Sequence, residues 1–197
     1  MKIGIIQYPA GNVRSVQYAL ERLGAVVYLT NNKEELARMD KVIFPGVGEA
    51  STAMESLASV GLEDFIPSLT QPVLGICLGM QLMCTYSEEG ETRGLNIIPV
   101  TVKKMEPTAE QLKVPHVGWN ALKTTNNRIF DQIETTDPYV YYVHSYCVPV
   151  NDYTIATTQY GQLFSAAIQK DNFYATQFHP EKSGKIGQQI LKNFLDL

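Results

Sequence analysis

The chain has 197 residues, 45% hydrophobic and 18% charged, with a net charge of −4; this length suits one domain with its own core, and the composition excludes a disordered or low-complexity chain. Its 16 basic residues are scattered and its three cysteines show no Cys-x-x-Cys spacing, which excludes a phosphate-neutralising nucleic-acid binder and implies neither a disulfide framework nor a cysteine-rich zinc site. No apolar run approaches the roughly 18 residues of a membrane helix, and the start Met1–Gln7 breaks off too early for a signal peptide, so a soluble, cytoplasmic chain forming a single domain over residues 1–197 is expected.

Lys2 to Gln7 is β-rich. Asn12 can cap a helix with apolar positions at Val13, Val16, Leu20 and Leu23, a helical spacing. Ala25 to Thr30 reads as a strand, and Asn32 with Glu35 resembles a capping box. Lys41 to Phe44 is a strand closed by the loop Pro45-Gly46-Val47-Gly48. Helical spacing returns at Glu49 to Leu57, and the strand Pro72 to Ile76 runs directly into a helix predicted over Leu78 to Tyr86. Strands alternating with helices predict a parallel sheet covered on both faces. Beyond about residue 95, Pro99–Lys104, Tyr139–Val148, Asp152–Gln159, Leu163–Gln169 and Tyr174–Phe178 read as strands joined by turns. Some of these are expected to be antiparallel, extending the sheet or forming a small second one. Ser183 precedes a closing helix with Ile186, Ile190, Leu191 and Phe194 on one face. With no repeat or linker, the reading is one mixed α/β domain.

The sharpest chemical feature is the strand Pro72–Ile76 passing through Gly75-Ile76-Cys77-Leu78-Gly79 into a helix. This is the arrangement of a nucleophile elbow with cysteine in place of serine. A helix N-terminus favours the thiolate, and the Leu78 N–H would face the oxyanion formed by attack. The plainer reading is a small core cysteine with glycines that let helix and sheet pack closely. His179 and Glu181 follow a predicted strand two residues apart, so both side chains can leave on one side. Taken singly they read as a hydrogen-bonded histidine and a solvated carboxylate; with Cys77 they match a Cys-His-Glu triad. Cys84 reads as helix packing and Cys147 as a strand residue, both inert. No metal site is expected, because no candidates stand at ligand spacing. Gly11-Asn12 lacks a dinucleotide-binding pattern, and no cofactor is implied.

Gly75-Ile76-Cys77-Leu78-Gly79-Met80-Gln81 and Gln177-Phe178-His179-Pro180-Glu181 resemble the two signature segments of class I, triad-type glutamine amidotransferases, over essentially the whole chain. Pro45-Gly46-Val47-Gly48, Pro115-His116-Val117-Gly118-Trp119-Asn120 and Tyr141-Tyr142-Val143-His144-Ser145-Tyr146 are similar to the glutaminase subunits of imidazole glycerol phosphate synthases within that family, as are Gly11-Asn12-Val13 and Glu181-Lys182-Ser183-Gly184. Two departures stand out. Gln7-Tyr8-Pro9-Ala10 replaces a common Asp-Tyr-Gly turn, and Glu49-Ala50 replaces a small residue followed by an aromatic.

The resemblance implies a three-layer, flavodoxin-like α/β fold: a mixed, mostly parallel central sheet, helices on both faces and a smaller antiparallel portion in the C-terminal half. It implies hydrolysis of L-glutamine to glutamate and ammonia by Cys77, His179 and Glu181. Leu78, Gly46 and Val47 would supply the oxyanion donors, the latter two after a peptide reorients. Gln81, Glu89 and the backbone of His144, Ser145 and Tyr146 would bind substrate. Asn12, His116, Trp119, Tyr141 and Lys182 would face a partner or gate the site. Free ammonia in neutral water protonates and is lost as a nucleophile, so an acceptor on another chain is expected. By resemblance this is a cyclase subunit, a (β/α)₈ barrel, in a histidine-biosynthetic heterodimer. The same scaffold serving another synthase, such as those for anthranilate or guanylate, or a non-catalytic relative, are the readings left open.

Overall fold

A computed structural model describes residues 1–9, 13–107, 113–133 and 138–197; the expected Asn12 cap and the partner-facing role of Asn12 lie outside the described residues. In chain order the N-terminal half holds β1 (Lys2–Ile6), α1 (Val13–Arg22), β2 (Val26–Thr30), α2 (Lys33–Ala37), β3 (Lys41–Gly46), α3 (Ala50–Ser59), α4 (Leu62–Phe65), β4 (Val73–Cys77), α5 (Leu78–Leu82), β5 (Cys84–Ser87) and β6 (Thr92–Arg93). There follow β7 (Ile98–Lys104), β8 (His116–Ala121), β9 (Lys123–Thr124), β10 (Tyr139–His144), β11 (Tyr146–Pro149), β12 (Thr154–Tyr160), β13 (Gln162–Lys170), β14 (Phe173–Thr176) and α6 (Gly184–Leu195). Among the described residues no helix is long and apolar enough to cross a membrane.

The main sheet runs β2-β1-β3-β4-β14-β13-β11-β7-β5-β6, with β12 and β9 attached to β13. Its first five strands, β2 through β14, are parallel to one another, and β13, β11 and β12 continue it antiparallel. The period-2 alternation of strands sorts side chains between two faces. Ile3, Ile5, Ile43, Leu74 and Ile76 pack with Val16 and Leu20 of α1 and Leu191 and Phe194 of α6. Ile6, Val42, Phe44 and Val73 pack on the other side with Leu36 of α2, Leu57 of α3 and Met80 of α5. The C-terminal strand β14 lies beside β4 in the centre of the sheet. That pairing brings the segment after β14 next to the β4–α5 junction.

Three local expectations change. The predicted helix over Leu78–Tyr86 stops at Leu82, and Cys84 opens β5, which pairs with β7 and β6. Leu82, Met83 and Cys84 are all buried in succession, an apolar run with no helical face, where tertiary pairing decides the conformation. The predicted strand Tyr139–Val148 divides at Ser145. β10 forms a separate antiparallel pair with β8, whereas β11 joins the main sheet between β13 and β7. Half of the capping box forms: Asn32 Oδ1 accepts from the N–H groups of Glu34 and Glu35, while Glu35 turns to the Thr30 hydroxyl.

Candidate active site

The β4–α5 junction places Cys77 at φ 53, ψ −108, a left-handed conformation that costs a non-glycine residue about 1–3 kcal/mol and is retained where surrounding packing enforces it. The enforcement comes from the flanking glycine. A Cβ on Gly79 would overlap the Phe44 carbonyl oxygen of β3, so only glycine lets α5 start this close to the sheet. The strain falls on Cys77 itself. Because α5 spans only Leu78–Leu82, little helix dipole is available, and the nearby hydrogen-bond donors matter more.

Cys77 and His179 line one cavity of about 320 Å³ with Val47, Leu78, Gln81 and Glu89, closed on the far side by Val143, His144, Ser145 and Tyr146. His179 Nδ1 meets Glu181 Oε1 at 2.8 Å, each side chain 2% exposed. Burial pulls the His179 imidazole down, but its hydrogen bond to Glu181 and the charge interactions with Cys77 and Glu181 outweigh that and push it up to about 10. His179 is therefore built to hold its imidazole charged despite its burial. The backbone of His179 is tied to β10: its N–H donates to the Tyr141 carbonyl at 2.9 Å. Ser183 Oγ donates to the His179 carbonyl at 2.6 Å and accepts from the Tyr141 N–H at 2.9 Å.

Gly46 ends β3 directly opposite Cys77 in the parallel register. A Cβ there would come within 2.6 Å of the Tyr8 hydroxyl oxygen, and that hydroxyl donates to the Pro45 carbonyl at 2.8 Å. Tyr8, from the departing Gln7-Tyr8-Pro9 turn, thus anchors the strand end just before the Gly46–Val47 peptide. The other departure also has a structural counterpart. Glu49 makes no side-chain cap on α3, and Glu89 caps it instead, accepting from the Ala50 N–H at 3.0 Å. Burial raises the Glu89 carboxyl above its ordinary value, partly offset by that bond. Glu88 does not share the cavity; it pairs with Lys103 at 2.7 Å on the surface.

Gln81 Nε2 donates to the Tyr146 carbonyl at 2.9 Å and to Gln177 Oε1 at 3.0 Å. Trp119, Tyr141 and Lys182 come together outside: Trp119 is 55% exposed and edge-on to Tyr141, whose ring lies 5.9 Å from Lys182 Nζ. His116, expected beside them, is buried at 2% exposure. Alternation along β8 turns it inward, where it stacks on Tyr142 and Tyr160 and meets His144 Nε2 through Nδ1 at 3.0 Å. Cys84 and Cys147 are unpaired and buried; burial pushes the first thiol far up and the second to about 11, as expected of inert packing residues. Tyr8, Gln177 and Ser183 are the residues sequence reasoning missed. A buried polar side chain in an apolar strand end was the available signal for Gln177.

The family model described as glutamine amidotransferase class-I matches residues 5–197. A curated protein of Bacteroides thetaiotaomicron named imidazole glycerol phosphate synthase subunit HisH is 57% identical over 100% of both chains. Its counterpart from Bacteroides fragilis, with the same name, is 56% identical, again over 100% of both. Among solved structures, PurLQS from Thermotoga maritima superposes with a TM-score of 0.73 at 15% identity, covering 99% of this chain and 97% of that one; at that identity the likeness concerns the fold.

Proposed function

The chain belongs to the class-I glutamine amidotransferase family, and we propose that Cys77, His179 and Glu181 are the triad with which it hydrolyses L-glutamine. It is a glutaminase subunit of imidazole glycerol phosphate synthase, in histidine biosynthesis. The observation that carries the triad is the strained Cys77 sharing a cavity with His179, which is buried against Glu181.

The Cys77 thiolate attacks the side-chain amide carbon of glutamine, and the carbonyl electrons move to oxygen. The Leu78 N–H and a donor from the Gly46–Val47 segment stabilise that oxyanion, each worth about 10²–10³ in turnover. The tetrahedral intermediate collapses as His179 gives its proton to the departing nitrogen, releasing ammonia and leaving a γ-glutamyl thioester on Cys77. Neutral His179 then takes a proton from water as the water attacks the thioester, and glutamate leaves with the thiolate restored. Glu181 orients the imidazole and stabilises its charged form. Gln81, Glu89 and the backbone from His144 to Tyr146 hold the polar ends of the substrate.

The reading extends to one domain over 1–197, because β14 closes the parallel sheet begun at the other end of the chain. The partner that receives ammonia is a cyclase subunit built as a (β/α)₈ barrel. It docks on the outer face of β8 and β10, where Val117, Trp119, Tyr139 and Val143 are exposed and where Val143 also reaches the cavity. Three unpaired cysteines fit a reducing compartment, the cytoplasm.

Cys77→Ala tests the reading. In the reconstituted synthase it abolishes glutamine-dependent turnover and leaves ammonia-dependent turnover intact; continued hydrolysis of glutamine by the variant would remove Cys77 from the role.

A further inference from the structure

Gln177 is fully buried behind the cavity, between the wall that carries Gln81 and the sulfur of Cys77. Its carboxamide has two neighbours. Oε1 faces Gln81 Nε2 at 3.0 Å, and Nε2 lies 3.8 Å from Cys77 Sγ, within reach of an acceptor as large as sulfur. A carboxamide can be built either way round, so its orientation must come from what surrounds it. The Tyr146 carbonyl can only accept, and Gln81 meets it at 2.9 Å; the amide nitrogen of Gln81 therefore points there. The same nitrogen faces Gln177, which must present its oxygen. The Gln177 NH₂ is left directed at the sulfur. His144 Nδ1 lies 2.8 Å from the Tyr146 carbonyl and completes its acceptor shell.

At Sγ the two hydrogen-bonding contacts oppose each other. The Val143 carbonyl, 3.8 Å away, can accept only from a thiol. An amide N–H stabilises the thiolate, since a hydrogen bond to the charged form favours ionisation. We propose that Gln177 is a further catalytic residue, its amide N–H holding Cys77 as thiolate, and that Gln81 is the positioning residue that fixes the direction of that amide. This rests on Cys77 being the nucleophile. The titratable groups facing the sulfur are His179, backed by Glu181, Tyr8, and, across the cavity, Glu89 and His144. No lysine or arginine lines the cavity among the described residues, so no permanent cation substitutes for the amide.

The test reads thiol reactivity rather than turnover. Alkylation of the whole chain by iodoacetamide is followed against pH, with Cys77 identified by peptide mass spectrometry. Gln177→Met keeps the volume and removes the donor; its alkylation midpoint is expected to rise by about one pH unit, about tenfold less thiolate at a given lower pH. Gln81→Met does not touch the sulfur, yet frees the Gln177 amide to turn, and is expected to raise the midpoint in the same direction by less. A purely structural role would lower thermal stability and leave both midpoints where they were, which would overturn the proposal. If the variants fail to fold by circular dichroism, the unmodified chain answers: the Gln177 side-chain amide signals in a ¹⁵N–¹H spectrum must titrate with the alkylation midpoint, and signals that stay fixed refute the contact. An inactive Cys77→Ala together with an unmoved Gln177→Met midpoint defeats this proposal alone. An active Cys77→Ala defeats the nucleophile reading beneath it.

Discussion

His179 and His144 are buried in the lining of one cavity, with His116 buried against His144, and their environments drive His179 and the His116–His144 pair to opposite charge states. Burial lowers His116 to about 4 and His144 to about 3, the latter lowered further by His116 and by His179 and only partly restored by its bond to the Tyr146 carbonyl. His116 lies between two tyrosine rings, and among the described residues no carboxylate hydrogen-bonds either imidazole. His179 suffers the same desolvation, but Glu181 and Cys77 supply negative partners that raise it to about 10. Depth alone makes an imidazole neutral; a paired anion makes it charged at the same depth. The neutral pair is consequently a directional chain. The Tyr146 carbonyl requires the proton on His144 Nδ1, His144 Nε2 then accepts from His116 Nδ1, and His116 Nε2 faces the Asn120 amide at 3.3 Å. The His179 imidazole is held charged, and the His116–His144 pair is held neutral.

The comparison breaks most severely if the anion is removed. Glu181→Gln is expected to lower glutaminase kcat in the assembled synthase by about 10³–10⁴ and to bring the His179 titration, followed by NMR, well down from about 10; activity within tenfold of the parent would show that the carboxylate does not set the charge. The next largest effect is on the neutral side. His144→Leu strands His116 Nδ1 and removes one donor from the Tyr146 carbonyl, costing about 1–3 kcal/mol in urea unfolding. A third measurement uses pH. His116 and His144 bind protons more readily unfolded, at an ordinary value of 6.5, than folded. Their contribution to stability is therefore complete above that value and is lost as pH falls toward about 4 and then about 3. The melting temperature should drop through that acid window, and His116→Asn should flatten the slope; an unchanged slope would mean the imidazole is not desolvated. His179 has the opposite sign: its contribution is complete below about 6.5 and fades as pH rises through about 10. The smallest effect is expected on the outer face of the same strand pair. Trp119→Ala should change the stability of the isolated chain by less than about 0.5 kcal/mol while weakening association with the cyclase by about 1–3 kcal/mol, read by calorimetry.

Much of the parallel half was legible because its signals are short-range. The strand into Gly75-Ile76-Cys77-Leu78-Gly79 and the two-residue spacing of His179 and Glu181 appear in the structure as expected, at the elbow and in the buried pair. Much of the antiparallel half was legible as strands, but β8 and β9 were not expected, and the pairing partners were not legible. Nothing local in Tyr139–Val148 signals that the chain leaves β8 at Ser145 and enters the main sheet, although that break forms the cavity wall. His116 was grouped with Trp119 as partner-facing or gating by resemblance; alternation along β8 puts the two on opposite faces.

By itself the sequence determined the parallel α/β core, the strained turn at Cys77 and the candidate triad, since each follows from backbone preferences and side-chain spacing within a few residues. Tertiary structure alone decided that His179 is held charged and what holds the three side chains. The Cys77–Gln177 contact joins residues 100 apart, and the Gln81–Gln177 bond joins residues 96 apart. Desolvation and hydrogen-bond direction depend on such neighbours, which only the closing of β14 against β4 brings together.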